Sequence, residues 1–406
     1  MKYFILIPDG MADEAIPALN GLTPMEAADK PTTDLLAKRA EIGMVQNVPA
    51  GMVPESDTAN MAIMSFDPKV YSKGRSPLEA VSMGIDMTDD DVAIRCNTVT
   101  LSNAERYEDR IMLDNSAGEI STEESAQLME ALNQHFANSE RKFYTGVSYR
   151  HCFIWKNAYD KYDFARPHDI VGQPIGNYIP SGEYGEPFRK IMEESISVLE
   201  NHPVNIARIQ KGLKPANAIW FWSPGKRPAL PSFKEKFGLD AAVVSAVDLI
   251  KGIGYCAGMQ VINVAGATGN LHTNYVGKAQ AVIDAFKSGE DWVYCHVEAP
   301  DECGHQRDPK GKVKSIENID QMILKPVYEY LESTNEDFGI MVLPDHPTFI
   351  RTGTHAPDPV PYMIYSSKHT MNGASPFTEK NAVNTGIYVA DGSTLMQRFF
   401  DICNER

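Results

Sequence analysis

Short apolar runs recur along this chain with little polar alternation inside them. Residues 3–7, 218–222, 241–244, 261–264, 292–297 and the run that opens at 338 read as strands covered on both faces, because a strand with one wet face would alternate. Between them lie longer stretches of helical character at 187–212, 275–288 and 313–334. Strand and helix in alternation predict an α/β fold with a parallel sheet flanked by helices.

The pattern changes near residue 89. Residues 92–101 alternate in part and are rich in β-branched side chains, which predicts a half-exposed strand. An acidic helix over 121–137 follows, opened by the capping sequence Ser121-Thr-Glu-Glu124, then a further strand over 143–155 and a loop rich in Gly and Pro over 164–187. We read 89–187 as a smaller inserted α+β domain that binds substrate. It splits one core domain into 1–88 and 188–406.

Metal-type side chains cluster where the apolar runs stop. The first run ends in Asp9 and Gly10, and the run near 340 ends in Asp345 and His346, after which a Pro-rich loop supplies His355. Asp301 and His305 follow the 292–297 run at a spacing that puts both on one side of a helical turn. Ser56, behind Pro54 and ahead of Met61, Ile63 and Met64, sits at a helix start, where backbone N–H groups favour an anion. Taken singly, each has an ordinary reading: Asp9 or Asp345 as a turn cap, Ser56 as an N-cap. Taken together, carboxylate and imidazole donors suit manganese, zinc, cobalt or magnesium, and their number suits two divalent ions. Two metals beside a serine imply phosphoryl transfer through a phosphoserine. In the insertion, Arg150, His151, His168 and Asp169 are candidates for holding an anionic substrate, and solvated strand residues are the alternative.

Composition narrows the partners. A net charge of −16 disfavours nucleic acid or an anionic membrane, yet a local cluster of metal, Arg and Lys can still receive a small phosphorylated substrate. The N-terminal apolar run is too short for a signal peptide or a membrane span, and six scattered cysteines fit a reduced, cytoplasmic setting. A homo-oligomer is compatible with the sequence, which does not specify one. No phosphate-binding Gly-x-x-x-x-Gly-Lys-Ser/Thr loop occurs.

The chain resembles the archaeal-type cofactor-independent phosphoglycerate mutases, of the alkaline phosphatase superfamily, nearly end to end. The resemblance runs through Pro8-Asp-Gly10, Glu55-Ser-Asp-Thr-Ala-Asn60, Gly146-Val-Ser-Tyr-Arg-His151, Pro167-His-Asp169, Asp248-Leu-Ile-Lys-Gly-Ile-Gly254, Glu298-Ala-Pro-Asp301 with His305, and Asp345-His-Pro-Thr348 with His355. It implies an alkaline-phosphatase-like core with two divalent ions, manganese foremost, one on Asp9, Ser56, Asp345 and His346 and the other on Asp301, His305 and His355. It also implies Ser56 as the nucleophile, Lys251 as a cation near it, and a closing insertion that excludes water while 3-phosphoglycerate and 2-phosphoglycerate interconvert. Glu119 and His272 depart from the family pattern, at positions where it usually has His and Asp. Phosphotransfer to homoserine, proposed for a bacterial branch, and simple phosphomonoesterase activity are the alternatives. A metal-stabilised binding module would leave the serine without a purpose.

Overall fold

The structure, a computed structural model, describes residues 1–404. The chain forms two compact units, Met1–Ser72 with the chain from Ala229 onward, and Lys73–Pro228. In chain order the first unit starts with β1 (Lys2–Pro8) and β2 (Glu41–Val45); the second holds β3 (Asp91–Leu101), β4 (Met112–Asp114), β5 (Arg141–Tyr144), β6 (Arg150–Lys156) and β7 (Ala218–Lys226). The first unit then resumes with β8 (Ala241–Val244), β9 (Gln260–Ile262), β10 (Trp292–Val297) and β11 (Phe338–Val342). A short hairpin of β12 (Thr348–Phe349) and β13 (Thr354–His355) leads to β14 (Val360–Ser366) and β15 (Tyr388–Val389).

The sheet of the first unit has the order β15-β2-β14-β11-β1-β10-β8-β9. From β11 to β9 the pairing is parallel, as the unbroken apolar runs predict, and β10 and β11 are buried along their whole length. Phe4, Leu6, Val293, Cys295, Ile340 and Val342 share one core with Ala279, Val282 and Phe286 of the helix Tyr275–Ser288. Each such large side chain taken out of water contributes roughly 1.5–3 kcal/mol. Beyond β11 the sheet turns antiparallel at β14, because the chain returns through the β12–β13 hairpin and a Pro-rich loop with no helical crossover to reverse its direction. Parallel strands place their carboxyl ends on one edge, so the residues after β1, β10 and β11 meet there.

The second unit corrects the expected insertion, which is wider than 89–187 at both ends. β7 pairs antiparallel with β3 and so belongs to the small sheet, β4-β3-β6-β5, rather than to the core. The helix Ser76–Ser82 joins it as well, through Ala80, which packs on Ala93, Cys152 and Ile154. Val92, Ile94 and Cys96 face the opposite core, with Leu128 and Leu132 of the helix Thr122–Phe136. With both faces covered, β3 is almost wholly buried, not half-exposed as its alternation suggests. The single strand expected over 143–155 is a hairpin of β5 and β6. The long helix expected over 313–334 is two helices, Pro309–Ile319 and Lys325–Ser333, with a π turn between them. Among the described residues no helix is long and apolar enough to cross a membrane.

Gly10 is where the fold turns most tightly onto the strand-end edge. Its φ is +63°, and an added Cβ would lie 2.8 Å from the Asp301 backbone and 2.5 Å from Thr348 Oγ1. Gly10→Ala should therefore cost roughly 2–4 kcal/mol, from left-handed strain and overpacking together. Urea unfolding at fixed metal concentration measures it, and an unchanged midpoint would show that the turn tolerates a side chain.

Candidate metal centre

Three loops deliver the site. Asp9 follows β1, Asp301 and His305 lie on the helix Ala299–His305 after β10, and Asp345 and His346 follow β11. His355 comes from β13, and Ser56 is the first residue of the helix Ser56–Ile63, whose N-cap is Glu55 rather than the serine itself. All seven belong to the first unit.

Ligand-type atoms of Asp301, His346 and His355 lie within 4.8 Å of one another, and those of Asp9, Asp345 and His346 form a second such group. Hydrogen bonding fixes which ring nitrogens face inward. His305 Nδ1 lies 2.8 Å from the Gly353 carbonyl, and His355 Nδ1 lies 2.8 Å from the Pro54 carbonyl. A carbonyl only accepts, so each ring donates from Nδ1 and in its neutral form carries a lone pair on Nε2. Those two Nε2 atoms face each other at 3.0 Å, and each also faces Asp301, at 3.2 and 3.3 Å. His346 follows the same rule: the Thr348 hydroxyl is spent on Asp301 Oδ1 and accepts from His346 Nδ1 at 3.4 Å. His346 Nε2 is left 3.2 Å from Ser56 Oγ and 3.6 Å from Asp9 Oδ1.

The electrostatics show what such packing demands. Burial first, then repulsion from Asp345 and Asp301, holds the Asp9 carboxyl well above the usual carboxylate range. Burial would raise Asp301 too, but hydrogen bonds from His305 and His355 override it and pull its carboxyl down. Burial is likewise outweighed at Asp345, which His346 and His296 lower. The hydrogen bond to Asp301 lifts His305 to about 9, His355 rises for the same reason against its burial, and burial lowers His346. Asp9 Oδ1 is buried and has no hydrogen-bond partner among the described residues. Converging lone pairs, clustered carboxylates and one orphaned oxygen fit divalent cations well, and the oxygen and nitrogen donors fit hard or borderline ions.

Three further residues escape a reading of the sequence. His296, inside β10, places Nε2 3.2 Å from Asp9 Oδ2. Asn60 donates to Asp345 Oδ2 at 2.7 Å and is itself bonded by Tyr294. Thr348 holds Asp301. Asn60 and Thr348 stand within the motifs that carry the family resemblance, whereas His296 reads as one more position of a core strand.

Other expected residues lie elsewhere. Lys251 is bound to Asp248 at 2.8 Å on the helix Asp248–Cys256, which packs against the Ser56 helix. Arg150, His151, His168 and Asp169 belong to the second unit. There Arg150 is exposed, His168 and Asp169 lie 3.6 Å apart at the surface, and His151 is buried, its Nδ1 accepting from Gly146 N–H at 3.2 Å. Glu119 is exposed with φ +53°, and His272 is exposed on the loop after β9.

Comparison with known proteins shows the family. A family model described as 2,3-bisphosphoglycerate-independent phosphoglycerate mutase matches residues 37–205. A protein of that name from Methanosarcina barkeri is 45% identical over 398 residues, covering 98% of each chain. The chain belongs to the 2,3-bisphosphoglycerate-independent phosphoglycerate mutase family. A Geobacter sulfurreducens relative, named a probable member, is 44% identical over 99% of this chain and all of its own. Among solved structures, a cofactor-independent phosphoglycerate mutase from Thermoplasma acidophilum superposes with a TM-score of 0.71 at 26% identity, covering the whole of both chains. A Pyrococcus horikoshii protein superposes with a TM-score of 0.83 at 28% identity, over 100% of this chain and 98% of that one.

The raised His305 gives a pH test. Its folded value, about 9, lies above the ordinary histidine value of about 6.5. Its pairing therefore stabilises metal-stripped protein fully below about pH 6.5 and is lost as pH rises through about 9. Melting temperature should fall across that window in metal-stripped protein, less so in His305→Asn. Saturating manganese should reverse the slope, since metal competes with protons for these nitrogens. A metal-stripped profile that is flat in both proteins would show that the ring is not paired.

Proposed function

We propose that this chain interconverts 3-phosphoglycerate and 2-phosphoglycerate through a phosphoserine at Ser56. One observation supports this most: a serine hydroxyl at the first turn of a helix, 3.2 Å from the Nε2 of His346, beside the clustered carboxylates, in a chain of this family. Asp9, Ser56, Asp345 and His346 would hold one divalent ion, and Asp301, His305 and His355 the other, with manganese the first choice. When bound, such ions polarise phosphoryl oxygens and make the serine hydroxyl easier to deprotonate.

The chain's own groups supply the rest. Ser56 Oγ attacks phosphorus, the bond from phosphorus to the glycerate 3-oxygen breaks, and that oxygen gains a proton. The 2-hydroxyl then loses a proton, takes the phosphoryl group from Ser56 and returns the serine to its starting state. N–H groups of the helix start face the transferring phosphoryl, and Lys251 adds positive charge from the neighbouring helix.

In the second unit, Arg150 offers a planar fork to the glycerate carboxylate. His151, whose Nδ1 already accepts from Gly146, presents its proton on Nε2, an atom that is buried and has no partner among the described residues. Burial lowers this ring to about 3, so it remains a neutral donor across the working pH range. His168 and Asp169 add a donor and an acceptor for the hydroxyl groups.

Phosphorus NMR of manganese-loaded protein with 3-phosphoglycerate tests the reading. Appearance of 2-phosphoglycerate without free phosphate is expected, and Ser56→Ala should lower the rate at least roughly a thousandfold, as loss of a covalent nucleophile does. Absence of isomerisation, or a serine variant that still turns over, would overturn it.

A further inference from the structure

The carboxylates at the centre are not left to find their own orientation. Asp345 Oδ1 accepts from the N–H groups of Gly10 at 3.2 Å and His346 at 2.9 Å, while its Oδ2 accepts from Asn60. Asp301 is held by Thr348. Among the described residues, Asp9 receives no such backbone or amide donor to its side chain. The group that meets it is His296, whose Nε2 is 3.2 Å from Oδ2, while Oδ1 remains bare.

His296 is well built for the task. It is fully buried, its β-register partner is Ile7 on the strand that ends in Asp9, and its own carbonyl accepts a 2.8 Å hydrogen bond from the buried Lys278. Backbone on both sides is therefore fixed: Asp9 N–H donates to the Val297 carbonyl at 3.0 Å, one residue beyond His296. Nε2 also lies 3.9 Å from Asp345 Oδ2, and neither ring nitrogen has a hydrogen-bond partner among the described residues, so a buried ring stands 3.2 Å from Asp9 Oδ2 with its donor unspent.

We propose that His296 is the positioning residue for Asp9. With an ion in place, a hydrogen on Nε2 would donate to Oδ2 and leave Oδ1 alone to the cation, an inference that rests on Asp9 being a metal ligand. Without that donor the carboxylate can rotate or bind through both oxygens. The ion held with Asp345 and His346 then loses a fixed ligand, while the ion on Asp301, His305 and His355 keeps its set.

Manganese titration of metal-stripped protein, with free ion counted by electron paramagnetic resonance, reads this without any turnover. The unaltered protein should bind two ions. His296→Leu should weaken one of them by about 10- to 100-fold and leave the other unchanged, the range typical of lost outer-shell partners. His296→Gln, whose amide nitrogen reaches nearly as far as Nε2, should stay within about threefold, and His296→Asn, which is too short, should behave as the leucine variant does. Should the leucine variant fail to fold by circular dichroism, the Gln and Asn pair decides.

In an Asp9→Asn background, which lacks the carboxylate, His296→Gln and His296→Asn should no longer differ. Two ions bound as tightly by the leucine or asparagine variant as by the unaltered chain would overturn the proposal. So would equal losses in the glutamine and asparagine variants. A chain that binds two ions normally yet fails to isomerise phosphoglycerate would overturn the proposed function and leave this assignment standing.

Discussion

Three imidazoles and three carboxylates meet at one edge of a parallel sheet, and the centre is built around that fact. The Nδ1–H groups of His305 and His355 are committed to the Gly353 and Pro54 carbonyls, so only the two Nε2 atoms, 3.0 Å apart beside Asp301, are left to take a proton or a metal. Without metal, protons hold His305 and His355 to Asp301, while Asp9, Asp345 and Asp301 still crowd one another. Two unit charges of one sign about 4 Å apart repel by roughly 4 kcal/mol at the effective dielectric near a protein surface, so the rest of the fold has to hold the groups there. Parallel pairing of β1 with β10 and β11 does the first part of this, because it ends all three strands on the same side.

Buried lysines do the second part. Lys312, fully buried, donates to the carbonyls of Ala12 and Thr348 and to Asp13 Oδ2 at 2.7 Å. Asp13 Oδ2 also accepts from Ile350 N–H, so one ion pair ties the loop after β1 to the segment that carries Thr348. Thr348 passes that restraint to Asp301. Replacing a buried pair of this kind by apolar side chains is often neutral or favourable for stability, so net stability does not explain it. Its effect is positional: two loops that carry ligands cannot drift independently. Lys278 acts similarly beneath His296, bonded to its carbonyl.

How much of this can be read from the chain depends on whether a residue breaks its local pattern. Asp9, Asp345 and His346 interrupt apolar runs, and Asp301 with His305 repeats at helical spacing, so the side chains that converge stand out along the sequence. His296 does not, because a histidine within Trp292–Val297 shares the burial of its neighbours, and only the position of Asp9 across the strand pair separates it from core. Asn60 and Thr348 are similarly quiet, being ordinary helix and loop residues until their partners are known. The edge of the second unit is hard to see for a different reason. β7 has the apolar character of a core strand, and its antiparallel pairing with β3 is a long-range choice that no local window contains. The ligand-type residues are thus plain along the chain, whereas the residues that aim them become visible only in three dimensions.

The contrast between satisfied and orphaned polar groups carries the last step. Arg208 is buried as deeply as many core residues, yet its guanidinium reaches Glu124 and the carbonyls of Ala117 and Lys214, which leaves it a structural brace and no reader of substrate. Lys312 is spent in the same way. Asp9 Oδ1 and His151 Nε2 are buried too, one in each unit, and neither has a partner among the described residues. A buried polar atom left unpaired costs on the order of 1–3 kcal/mol, a large share of a marginal stability. Asp9 Oδ1 differs from other such atoms in its setting, because it stands among the clustered ligand-type groups. Under the proposed function the partner of Asp9 Oδ1 is a divalent cation, which the carboxylate and imidazole beside it would share.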